Sequence, residues 1–103
     1  MSTEIFHMGK AYELCLTYRK QRQYAKENLI SQLIMYYSTV DLYKDLIVGK
    51  AIPIVGYYRK RTVEAVCNDL GYELISFSHS TINGMYGRNY GKYTNIAFKS
   101  AKA

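Results

Sequence analysis

The stretch Tyr58-Arg59-Lys60-Arg61-Thr62-Val63-Glu64-Ala65-Val66-Cys67-Asn68-Asp69-Leu70-Gly71-Tyr72-Glu73-Leu74-Ile75-Ser76-Phe77-Ser78 is where the chain changes its period. Thr62, Val63, Val66, Cys67 and Leu70 recur at steps of three and four, which marks one face of an α-helix over 58–70. Gly71 follows as a helix stop. Beyond it the period becomes two, with Ile75 and Phe77 alternating with Ser76 and Ser78. The same alternation returns where Ile96 and Phe98 interleave with Asn95, Ala97 and Lys99. A helix followed by two strands is therefore expected. The intervening Thr81–Lys92, rich in Gly and Asn, reads as the long tip of an antiparallel hairpin.

Upstream, residues 9–37 carry a helical stripe of Ala11, Leu14, Cys15, Tyr18, Arg22, Ala25, Leu29, Leu33 and Tyr36. The polar run around Gln21–Tyr24 predicts a break between two helices, because one rod of this length would be about 43 Å long. Ser38-Thr39-Val40-Asp41 offers a hydroxyl N-cap and an early acid. A short helix is expected there, with Val40, Tyr43, Leu46 and Ile47 inward and Gly49 closing it. Ile52-Pro53-Ile54-Val55-Gly56 reads as a connector. Helices first and a hairpin last give an α+β class. The order is that of a winged-helix-like core over 27–99, with an N-terminal helical extension over 1–26, in a single domain over 1–103.

The chain has 103 residues, 49 % hydrophobic and 21 % charged, which suits one domain that buries a core. No apolar run is long enough to span a membrane, since Lys44, Lys50 and Arg59 interrupt the most hydrophobic region. Glu4 stands where a secretory signal would carry basic residues, so a cytoplasmic setting is expected. Cys15 and Cys67 lack metal-ligand or disulfide-framework spacing and read as buried thiols; no metal and no cofactor are expected.

Fourteen Lys and Arg against eight Asp and Glu leave a net charge of +6, which favours polyanionic partners. In a winged-helix arrangement the 58–70 helix enters the major groove by its N-terminal residues, and the hairpin tip lies against the backbone. The expected nucleic-acid-binding residues are Tyr58, Arg59, Lys60, Arg61 and Asn68 on the helix. Tyr86, Arg88, Asn89, Tyr90 and Lys92 are those on the tip. Glu64 opposes groove insertion unless it pairs with Lys60. Arg19, Lys20, Arg22 and Lys26 form a secondary basic patch, for which a solvated helix face beside Glu13 and Glu27 is the plainer explanation.

Of the twelve tyrosines, Tyr12, Tyr18, Tyr36, Tyr37 and Tyr43 have helical spacing and read as core or core-edge residues. Tyr86, Tyr90 and Tyr93 read as exposed. No catalytic constellation is evident. Gly84, Gly87 and Gly91 lack the context of a phosphate-cradling loop, and His79 with Arg88 and Lys92 is only a minimal set for metal-free phosphodiester cleavage. The expected function is a small, non-catalytic nucleic-acid-binding protein, DNA before RNA, acting as a transcriptional regulator and able to form a homodimer through its long N-terminal helices. The alternative is a protein-binding accessory factor or inhibitor that engages a larger protein through Tyr-rich and basic surfaces.

Overall fold

A computed structural model describes residues 6–39, 49–83 and 89–101. Among them the chain forms three helices and a three-stranded antiparallel sheet, an α+β fold. The elements are α1 Met8–Lys20, α2 Tyr24–Thr39, β1 Ile52–Val55, α3 Lys60–Leu70, β2 Tyr72–Asn83 and β3 Asn89–Ser100.

The break between α1 and α2 is a Schellman-type turn without glycine. Gln23 N–H donates to the Tyr18 carbonyl at 2.9 Å and Arg22 N–H to the Arg19 carbonyl at 3.1 Å. Arg22 takes the left-handed conformation with φ 56°. The turn resets the helical phase, so Leu29, Ile30, Leu33, Ile34 and Tyr37 are the buried residues of α2. Arg22 and Ala25, expected on the inner stripe, are exposed. At the far end Ser38 and Thr39, expected to cap a new helix, are themselves helical. They belong to the last turn of α2, and their hydroxyls donate to the Met35 carbonyl at 3.1 and 2.9 Å. The helix expected over 40–48 lies outside the described residues.

The expected connector is a strand. β1 pairs antiparallel with β3, Ile52 opposite Ile96 and Ile54 opposite Thr94, and β3 lies between β1 and β2. Pro53 fits because its missing N–H falls on the outer edge of the sheet, where β3 demands no donor. The span expected to be a tip is mostly strand: β2 runs to Asn83 and β3 begins at Asn89, with Thr81 opposite Lys92.

A bulge between Leu74 and Ser76 changes which β2 residues face the helices. Tyr72 and Leu74 face the core before it and Phe77 after it, while Ile75, the extra residue, is 52 % exposed rather than inward. α3 begins at Lys60, with Arg59 as N-cap, so Tyr58 precedes the helix. Its inward face is Val63, Val66, Cys67 and Leu70. Gly71, at φ 89°, reverses the chain directly into β2. One core joins these residues to Ile52, Ile54, Ile96 and Phe98 of the sheet and to Phe6, Ala11 and Tyr18. Phe6 stacks on Tyr37 with centroids 4.2 Å apart.

Candidate nucleic-acid interface

Thr94 fixes the segment that leads into α3. It is fully buried on β3; its hydroxyl donates to the Gly56 carbonyl at 2.8 Å and accepts the Tyr58 N–H at 2.9 Å. The Tyr58 carbonyl accepts a bond from His79 Nε2 at 2.8 Å, and the Tyr58 phenol meets Gln32 Nε2 at 3.3 Å. Tyr58 is thus a half-buried strut that aims the helix, not a free contact residue.

Arg59, Lys60 and Arg61 emerge from this strut as exposed side chains around the first turn of α3. That turn holds no acid, and Arg59 gives it no side-chain cap. Cations crowd the positive end of the helix dipole, an arrangement that costs stability unless an anion joins it. Among the described residues, none of the three makes an ion pair. Glu64, one turn on, does not pair with Lys60; both line a cleft beside Leu74–Phe77 of β2. Arg59 and Thr62 instead face α2 across a cleft of about 520 Å³, whose walls include Ala25 and Asn28.

The sheet brings one more cation to this end. Lys92 Nζ lies over the Tyr57 ring, 5.5 Å from its centroid. His79 stacks on the same ring with centroids 4.6 Å apart, and the Tyr57 hydroxyl bonds Thr81. The exposed Lys92 is therefore tied to the residue two places before Arg59. Asn68 is exposed in the last turn of α3, about 12 Å along the axis from Lys60, and does not join the group. Asn89 and Tyr90 lie on the first residues of β3; Tyr86 and Arg88 are outside the described residues. Tyr57, His79, Thr81 and Thr94 complete the site; of these the sequence singled out only His79, beside Lys92 but for phosphodiester cleavage.

The secondary patch is partly engaged. Arg19 Nε pairs with Glu27 at 2.8 Å and Lys26 Nζ sits 5.6 Å from the Tyr18 ring centroid, while Lys20 and Arg22 are exposed at the α1–α2 turn. Tyr18 and Tyr37 are buried and Tyr36 half-buried, but Tyr12 is 52 % exposed. Tyr43 is outside the described residues. Tyr93 is half-buried within β3 and not in a loop. Cys67 is buried; Cys15 is only half-buried and meets Ser31 at 3.5 Å. Among the described residues no helix is long and apolar enough to cross a membrane, and no group of His, Cys, Asp and Glu is placed to hold a metal. No protein-family model, curated protein or solved structure matches the chain.

Proposed function

We propose that this chain is a small, non-catalytic nucleic-acid-binding protein that grips phosphates with the N-terminal end of α3 and the adjoining part of β3. The supporting observation is the trio Arg59, Lys60 and Arg61, without an ion pair among the described residues, at a helix N-terminus with no side-chain cap, with Lys92 held over the ring of Tyr57 in the segment before it. Backbone amides and guanidinium groups at a helix start suit phosphate oxygens. The docking is winged-helix-like in that a helix and the ribbon that follows it act together on duplex DNA. The four-residue link Gly56–Arg59 leaves no room for a helix between β1 and α3, so the contact is made by helix plus ribbon. A regulatory role in transcription follows if the duplex contact is sequence-selective.

Fluorescence anisotropy with random duplex and single-stranded oligonucleotides at two salt concentrations tests this. Four phosphate-neutralising cations give a log–log salt slope of roughly −4. The R59A/K60A/R61A variant weakens binding more than tenfold with the melting temperature nearly unchanged, because these side chains carry no packing. Absent or salt-insensitive binding eliminates the proposal. It would favour the second reading, a protein-binding accessory factor, which has one observation behind it: an apolar groove between α1 and α2 lined by Tyr12, Leu16, Ile34 and Met35.

A further inference from the structure

The two edges of the sheet are built differently. β1 is closed: the Gln32 side-chain amide donates to the Val55 carbonyl and accepts its N–H, each at 2.8 Å. These are the two bonds a further strand would make there, and Pro53 has no N–H to offer. Among the described residues no side chain closes β2 in this way.

Gly56 N–H donates to the Lys92 carbonyl, so Lys92, Thr94 and Ile96 direct their backbone groups toward β1. Tyr93, Asn95 and Ala97 then serve β2 at Ser80, Ser78 and Ser76. The backbone N–H and C=O groups of Phe77, His79 and Thr81 consequently point out of the sheet, and no described residue bonds them. From Leu74 to Gly87 the sequence holds no Asp, Glu, Lys or Arg, although the chain as a whole carries +6. An edge stretch as long as Leu74–Asn83 without charge or proline is the kind that recruits another strand.

We propose that β2 pairs antiparallel with β2 of a second copy of this chain, about a two-fold axis at His79. The regular part of β2 runs from Ser76 to Ile82 between two irregularities, and His79 is its midpoint. With the axis there, Phe77 meets Thr81 of the second copy and His79 meets His79, so outward backbone groups face outward backbone groups throughout. Such an interface is self-complementary. Between Leu74 and Asn83 the strand itself brings no fixed charge to that seam. The result is a continuous six-stranded sheet with a Gln32-closed β1 at each end.

In this register Ser78 lies directly opposite Ser80 of the second copy, in a pair whose side chains approach closely. Sedimentation velocity on the full chain, without nucleic acid, reads the dissociation constant for the wild type, S78K/S80K and S78K/S80E. The wild type dimerises, S78K/S80K weakens the dimer roughly three- to thirtyfold by opposing two lysine pairs, and S78K/S80E tightens it by a similar factor. Asn95 Nδ2 donates to Ser80 Oγ in the wild type, a bond that S80E can still accept and S80K cannot, so the single variants S80E and S80K are measured alongside to separate this bond from the cross-strand charge. A wild type that stays monomeric at its highest soluble concentration overturns the proposal, as does a dimer indifferent to S78K/S80K. If that variant fails to fold, S78K/S80E decides against the wild type: tighter supports the two-fold, equal or weaker overturns it. Because no nucleic acid is present, failure here is separate from failure of the phosphate contact.

Discussion

Tyr18 and Tyr37 bury nearly identical side chains in opposite circumstances. The Tyr18 hydroxyl donates to Asp69 Oδ2 at 2.6 Å and ties α1 to the end of α3. The Tyr37 hydroxyl is buried with no hydrogen-bond partner among the described residues. A bond to a carboxylate is worth more than one between neutral groups, and a buried hydroxyl left unpaired contributes nothing that phenylalanine would lose. Tyr18→Phe is expected to cost about 1–2 kcal/mol, whereas Tyr37→Phe is neutral or stabilising by up to about 1 kcal/mol. Chemical denaturation of the two variants under one set of conditions checks both. Both tyrosines have helical spacing in sequence and read as core or core-edge residues, but nothing in the spacing shows that Asp69, fifty-one residues beyond Tyr18, waits for one of them and nothing for the other.

Among the elements, β1 departs most from its sequence signals. Four residues with a proline read locally as a linker, and they become a strand because β3 supplies the register and α2 supplies Gln32. Gln32→Ala removes both edge bonds at an exposed site. The expected cost is about 1 kcal/mol, and hydrogen exchange of the Val55 amide should become faster than in the wild type. Unchanged protection would mean that the clamp is not formed in solution. The helix–strand boundary at Gly71 was legible because glycine there has a purely local cause. The inward-facing set of β2 was not, since the bulge that exposes Ile75 and turns Phe77 inward is imposed by pairing with β3.

At the scale of the whole molecule, one core holds all three helices against one face of the sheet, and several of its members are weak acids. Burial, reinforced by Glu64, pushes the Cys67 thiol up from 9.0 to about 12. Burial likewise raises the Tyr18 and Tyr37 phenols above their ordinary range. Above pH 9 the unfolded chain releases a Cys67 proton that the folded chain retains, so the stability gained from the neutral thiol is full below pH 9 and is lost as the pH climbs toward 12. The melting temperature should hold level from neutrality to pH 9 and decline beyond it, more steeply once the tyrosines contribute. Cys67→Ala should flatten the first part of that decline, although its cavity lowers the whole curve. A profile still rising through pH 10 would contradict the buried thiol.

What the amino-acid order determined unaided is what short-range physics controls: the period of α3, its glycine stop, the interruption near Gln21–Tyr24, and the abundance of cations around Arg59–Arg61. These depend on residues within a few places of one another. What needed the tertiary structure is everything set by partners far along the chain. β3 turned a connector into a strand and extended the expected tip into paired backbone. Thr94 and His79 locked the approach to α3, and Tyr57 brought Lys92 to the segment that leads into it. Periodicity records which face of a segment is apolar, but it carries no record of which other segment that face will meet.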